Sequence, residues 1–162
     1  VDHHLARARA VGRRGSGQAV ADVWPSLQAV ERAVQRLYPD KVLDLDGEKS
    51  LAVRVERQDL DEMLGNLIEN AAKYGGGRVF VTVGQADDMV EILVEDDGTG
   101  IPEKERSAIF ERGARLDTGK PGTGLGLAIV RDVAEIYGGS IALEESEDLG
   151  GLLARLRLPV AG

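Results

Sequence analysis

The segment DLDEMLGNLIENAAKYGGGRVFVTVGQADDMVEILVED, residues 59 to 96, contains the change of period on which the fold turns. At about 100° per residue, Leu60, Met63, Leu64, Leu67 and Ala71 fill one stripe of a helix. Asp59, Glu62, Asn66, Asn70 and Lys73 fall within roughly 40° of one line beside it. The pattern predicts a helix over 59 to 74, polar on one face and apolar on the next, closed by Gly75, Gly76 and Gly77. Beyond the glycines the period drops to two. Residues 78 to 83 and 89 to 95 alternate on either side of a polar turn, the pattern of a hairpin. A helix leading straight into half-buried strands predicts an α/β layer structure.

The same switching of period continues outward. Upstream it predicts a short strand near 19 to 23, a helix from about 26 to 38 ended by Pro39, and strands at 41 to 45 and 51 to 55. Downstream, residues 97 to 123 hold seven Gly or Pro and little periodicity, and a loop of that length is functional or disordered. A helix over 125 to 137, stopped by Gly138 and Gly139, and strands at 140 to 144 and 153 to 158 complete the chain. Residues 1 to 17 differ in composition, with four Arg and one Asp in a chain of net charge −8. Val1, Leu5, Ala8 and Gly12 follow the four-three-four spacing of a helix packed on another helix. Gly12, Gly15, Ser16 and Gly17 then read as a linker. This segment is either a frayed terminal helix or the tail of a helical hairpin lying upstream.

Composition bounds the chemistry. With 162 residues and 43% hydrophobic side chains, the chain suits one domain with a real core. Its 28 acidic against 20 basic residues argue against a partner, nucleic acid or anionic membrane, that is held by phosphate neutralisation. Zero Cys excludes a disulfide framework, a thiolate zinc site and a cysteine nucleophile. The two His, His3 and His4, both lie at the N-terminus, which excludes a histidine metal site in the core. No apolar run approaches the ~20 residues of a membrane span, and the first residues lack the pattern of a signal peptide. The expectation is a soluble domain or a soluble piece of something larger.

Three segments carry candidate chemistry. Asn is a poor residue for a helix interior, yet Asn66 and Asn70 stand there one turn apart, where they could present two carboxamides to a ligand or a hard cation. Strand alternation puts Asp96 on the face of Val90, Ile92 and Val94, so its carboxylate needs a donor. Gly98 and Gly100 just beyond leave the backbone open to a flat ligand. Gly122, Gly124 and Gly126 run into a helix whose N-terminal N–H groups favour phosphate. Between the glycine clusters lie Arg112, Arg115 and Lys120, cations that could close over phosphates. The glycine spacing departs from the dinucleotide fingerprint and no Walker sequence occurs, which disfavours both of those nucleotide folds.

The order of these segments resembles the ATP-binding catalytic domain of sensor histidine kinases, of the PhoQ-like type. That domain belongs to a wider group shared with type II topoisomerases, heat-shock chaperone ATPases and mismatch-repair ATPases. Asn66-x-x-x-Asn70-Ala71-x-Lys73-Tyr74 resembles the family's asparagine box. Asp96-x-Gly98-x-Gly100 resembles its first glycine box, and Gly122-x-Gly124-Leu125-Gly126-Leu127 its second. The likeness covers roughly residues 19 to 160.

The resemblance implies the Bergerat fold, a two-layer α/β sandwich in which a mixed five-stranded sheet carries three helices on one face. It implies ATP and Mg²⁺ as cofactors, with ATP held between the long helix and a lid at about 101 to 123. Asp96 would take the adenine amino group, and Tyr74 would line the adenine side. Asn70 would ligate Mg²⁺, while Asn66 and Lys73 contact phosphates. Arg115 and Lys120 match the lid positions of phosphate-binding cations. Gly98, Gly100, Ile101, Gly122, Thr123, Gly124, Leu125, Gly126 and Leu127 complete the implied nucleotide-binding set.

Position 66 separates branches of the group. By family pattern the ATP-hydrolysing relatives carry Glu there to activate water, and the Asn also counts against the serine-kinase anti-sigma factors, which share the fold. A carboxamide cannot act as general base. The expected function is therefore transfer of the γ-phosphoryl group of Mg·ATP to a histidine on a separate helical hairpin, for relay to an aspartate of a response regulator. His3 and His4 lack the acidic residue and Pro that follow a phosphoacceptor. Residues 1 to 17 then resemble the end of the hairpin's second helix, and residues 18 to 162 form the catalytic domain. The lid shows Phe110-x-x-Gly113 where many members show two Phe. The resemblance further implies a monomeric isolated domain on the cytoplasmic side, in a homodimeric parent kinase of the bacterial inner membrane. Two rivals stand: an ATPase of the same fold whose closure performs conformational work, and a nucleotide-sensing interaction module without chemistry.

Overall fold

The computed structural model describes residues 19 to 98 and 123 to 161, with the backbone alone at residues 74 and 123 to 126. The elements run β1 (Ala21–Asp22), α1 (Val23–Leu37), β2 (Val42–Gly47), β3 (Ala52–Val53), α2 (Arg57–Tyr74), β4 (Arg78–Ala86), β5 (Met89–Asp96), α3 (Thr123–Ile136), β6 (Ser140–Glu145) and β7 (Leu152–Pro159). Within the described residues every element expected from periodicity is present. α1 starts at Val23 rather than near Ser26, because Pro25 falls in its first turn, where no helical N–H is required. The stretches expected as strands at 19 to 23 and 51 to 55 shrink to the two-residue pair β1 and β3, antiparallel to one another.

The main sheet has the order β2-β4-β5-β7-β6. β2 runs parallel to β4 and the other neighbours are antiparallel. This is the mixed five-stranded sheet that the resemblance implies. The parallel step needs a crossover, and α2 supplies it. β4 and β5 form the expected hairpin, turning through Asp87 at a φ of 57°, a conformation that Asp tolerates better than most side chains.

Directly paired residues point to the same face, and one such row, Leu45, Val81, Val94, Ala154 and Leu143, crosses all five strands. This face meets the helices. α1 brings Val23, Leu27, Val30 and Val34, α2 brings Leu60, Met63, Leu64, Leu67 and Ile68, and α3 brings Leu127, Val130, Val133 and Ala134, all buried in one core. Fully burying a side chain of this size contributes about 1.5–3 kcal/mol. The other face is polar around Arg155, whose guanidinium bridges Glu91 and Glu144. Among the described residues no helix is long and apolar enough to cross a membrane.

Candidate functional site

The site forms where the C-terminal end of α2, the end of β5 and the start of β7 meet. Val79 pairs with both Leu43 and Asp96, so Asp96 continues an apolar row and faces the helix layer. It is 6% exposed. The donor demanded by such burial is found twice over. Asp96 Oδ1 accepts the N–H of Gly98 at 2.9 Å and that of Leu152 at 3.2 Å. Among the described residues Oδ2 accepts no hydrogen bond. Burial pushes the carboxyl above the usual carboxylate range, the two N–H donors oppose this, and the Asp97 charge adds to the rise.

Two glycines leave room for this carboxyl. A Cβ at Gly75, just past α2, would lie 2.9 Å from Asp96 Cβ. A Cβ at Gly151 would fall inside the envelope of Asp96 O and Oδ1, and 2.7 Å from Gly98 N. Gly75 reads from sequence only as a helix stop, and no sequence motif includes Gly151. Their second role is contact over long separations in the chain, which no local pattern carries.

Asp97, the next residue, ties down the turn after α2. Its Oδ1 accepts the N–H groups of Gly76, Gly77 and Arg78 at 3.0, 2.8 and 3.0 Å. No local motif marks this role, because the N–H groups that Asp97 takes lie 19 to 21 residues away in the chain. The adjacent carboxylates thus face opposite ways, Asp96 toward the β6–β7 turn and Asp97 toward the α2–β4 turn.

Along α2, Asn66, Asn70 and Lys73 are half-buried on the expected line, leading toward Asp96. Neither Asn carboxamide makes a hydrogen bond among the described residues, so both are available. Asp59 departs from the expected polar line. It is fully buried and accepts a hydrogen bond from the Tyr137 hydroxyl at 2.6 Å, which joins α2 to the end of α3. Below it, Asp61 receives the Ser26 hydroxyl and, at 2.9 Å, Arg57 Nε.

Gly98 lies at the site and donates to Asp96. The second glycine box opens α3, with Thr123, Gly124, Leu125 and Gly126 in its first turns. Leu127 is 1% exposed and belongs to the core. Gly100, Ile101, Arg115, Lys120 and Gly122 lie outside the described residues, as do Phe110, the side chain of Tyr74 and residues 1 to 17. Among the described residues no three His, Cys, Asp or Glu side chains cluster as a metal site. A cation here would need oxygen ligands from Asn and from a bound ligand.

Comparison with known proteins agrees with the geometry. Residues 55–162 match the family described as histidine kinase-, DNA gyrase B- and HSP90-like ATPase. The sensor protein kinase CarS of Pseudomonas aeruginosa is 42% identical over 158 residues, covering 96% of this chain and 35% of that protein. The two-component sensor PhoQ of the same organism is 43% identical over 135 residues, covering 82% of this chain and 30% of that protein. The chain therefore spans about a third of the length of the curated relatives it matches. Among solved structures, the ATP-binding domain of PrrB from Mycobacterium tuberculosis superposes with a TM-score of 0.75 at 32% identity, covering 89% of this chain and 98% of that one. The chain belongs to the histidine kinase-, DNA gyrase B- and HSP90-like ATPase family, as an ATP-binding catalytic domain of the sensor histidine kinase type.

Proposed function

We propose that this chain binds Mg·ATP and passes its γ-phosphoryl group to a histidine on a helical hairpin, from which the group moves to an aspartate of a response regulator. The observation that carries the reading is the Asp96 carboxyl. One oxygen is fixed by two backbone N–H groups and the other accepts none among the described residues, while Gly75 and Gly151 let the neighbouring segments pack closely against this residue. A buried acceptor held in one orientation fits an exocyclic amino group on a flat ring.

The phosphates then extend from the base along the polar line of α2. Lys73 and Asn66 hold and orient them, and Asn70 supplies a carbonyl oxygen to Mg²⁺. The residues present suit that ion, since hard cations take oxygen ligands and keep several from phosphate and water. When bound, Mg²⁺ neutralises charge on the phosphate oxygens. The first turns of α3 offer N–H groups to the same anion. Arg115 and Lys120, on a lid at about 101 to 123, add positive charge to the transferring group. In transfer the bond from the γ-phosphorus to its bridging oxygen breaks, the histidine nitrogen takes the phosphoryl group, and ADP keeps the electron pair. Asn66 supplies no general base, which favours transfer over hydrolysis.

On this reading residues 1 to 17 are the end of the hairpin and its linker. The parent is a homodimeric sensor kinase of the inner membrane with this domain in the cytoplasm. The test is a calorimetric titration with a non-hydrolysable ATP analogue, with and without Mg²⁺, beside labelled-ATP transfer to a histidine-bearing hairpin supplied in trans. Micromolar binding lost in Asp96→Asn, together with label on the hairpin, is the expected result. Good binding with no label on any hairpin would overturn the transferase reading, and steady phosphate release without transfer would favour the ATPase rival.

A further inference from the structure

The end of β5 is gripped from both sides by one short turn. On the helix side, the N–H of Leu152 reaches Asp96 Oδ1 at 3.2 Å and the N–H of Gly151 reaches the Asp96 carbonyl at 3.1 Å. On the opposite side of the sheet, the Ser146 hydroxyl donates to Glu95 Oε1 at 2.7 Å. Ser146 is fully buried and Glu95 is 4% exposed. The same hydroxyl accepts the N–H of Leu149 at 3.0 Å, and the turn closes on itself through Ser146 N–H to Gly151 O and Gly150 N–H to Ser146 O, both 2.8 Å. Strand alternation explains the two-sided grip, since Glu95 and Asp96 are neighbours that point to opposite faces.

We propose that the β6–β7 turn, residues 146 to 151, is a positioning clamp that sets purine specificity by fixing the Asp96 carboxyl, with Ser146 and Gly151 as positioning residues. The proposal rests on the reading of Asp96 as the acceptor of the adenine amino group. A carboxyl free to rotate could turn either oxygen toward the base and lose its direction. Two donors on Oδ1 remove that freedom and leave Oδ2 aimed at one place. Gly151 is required because any side chain there collides with the backbone and carboxyl of Asp96 and pushes the donors away. Ser146 acts from the far face, where a buried hydroxyl paired with a buried carboxyl group pins the turn that leads directly into Leu152, one of the two donors.

The experiment is a calorimetric titration of the full chain with ADP and with IDP, in which a carbonyl oxygen replaces the 6-amino group. It compares the parent sequence with Ser146→Ala, Gly151→Ala and Asp96→Asn. The parent is expected to prefer ADP by about tenfold or more, as a charged acceptor paired with a donor does over one facing an oxygen. Ser146→Ala should lower ADP affinity about threefold or more while IDP stays nearly unchanged, and Gly151→Ala should collapse the preference toward the Asp96→Asn value. A turn that matters only for folding would lower both affinities together. An unchanged ADP-to-IDP ratio in Ser146→Ala and Gly151→Ala, with the ratio lost in Asp96→Asn, overturns the clamp and leaves the base reader standing. An unchanged ratio in Asp96→Asn overturns both. Should Gly151→Ala not fold, Ser146→Ala carries the test alone.

Discussion

Asp97 Oδ1 lies 2.8 Å from the backbone nitrogen of Gly77 and takes that N–H together with those of Gly76 and Arg78. Three donors on one oxygen, the Arg78 N–H foremost, hold this carboxyl below the usual carboxylate range. The bonds fasten the turn that follows α2 to the end of β5. Asn66, Asn70 and Lys73 are carried by the helix so fastened.

Asp97→Ala should destabilise the chain by about 1 kcal/mol, a figure kept low because solvent reaches this carboxylate. The pH dependence has a definite sign. The folded-state pKa is depressed below that of an ordinary Asp carboxyl, so the contribution is complete above the ordinary value and is lost as pH falls through the folded pKa. Urea titrations should show the gap between parent and variant closing on acidification below the ordinary carboxylate range. A gap constant through that range would show that the charge on Asp97 is not what holds the turn.

Asp96 behaves in the opposite sense. Burial raises its pKa, so its ionised form costs stability once pH rises through the folded value. Asp96→Asn removes that cost while keeping an oxygen for the Gly98 and Leu152 N–H groups. The variant should be more stable than the parent at neutral pH, by about 1 kcal/mol, and should bind ADP worse. In the parent, ADP affinity should begin to fall on acidification at a higher pH than an ordinary carboxylate would dictate, while the variant stays flat. Coincident losses of stability and binding in Asp96→Asn would mean the carboxylate serves the fold and not the ligand.

The opposite fates of these neighbouring carboxylates mark how far sequence reading reaches. Alternation in β5 was enough to turn Asp96 inward, because the period of a strand is a property of its own residues. The stripe on α2 likewise placed Leu60, Met63, Leu64 and Leu67 against the sheet. Asp59 broke the same logic. Its partner, Tyr137, is 78 residues away, and a helix wheel holds no information about what approaches it. Ser146 and Glu95, 51 residues apart, and Gly151 against Asp96 are hidden for the same reason. The motifs mark the end of the domain where the ligand is proposed to sit, while the contacts that fix the geometry of that end arise only when β7 lies between β5 and β6.

The buried Asp59–Tyr137 pair gives a prediction about the fold alone. Tyr137→Phe removes the hydroxyl that donates at 2.6 Å to the buried Asp59 carboxyl group. The loss should be about 1–3 kcal/mol, the range for removing one buried hydrogen bond to a carboxyl group. For a chain of this size that lowers Tm by about 2–4 °C for each kcal/mol. Nucleotide affinity, measured well below the transition, should stay within about twofold, since the pair sits at the N-terminal end of α2, away from Asp96. A drop in affinity without a drop in Tm would place the pair in the ligand site after all.

Asn66 and Asn70 are one turn apart on α2 and half-buried, and the proposed function gives their amides different roles. Asn70→Ala should erase the gain in ATP-analogue affinity that Mg²⁺ brings, a loss of about tenfold or more for removing a metal-side ligand. Binding of ADP in a chelator should stay within about threefold, because Asp96 and its two N–H donors are untouched. Asn66→Ala should instead reduce affinity with and without metal alike, as expected for a contact to phosphate alone. The comparison separates the roles by a double difference, variant against parent and metal against chelator, so a general loosening of α2 cannot imitate it. Equal Mg²⁺ gains in the parent and in Asn70→Ala would remove Asn70 from the metal, and a gain lost in Asn66→Ala instead would exchange the two assignments.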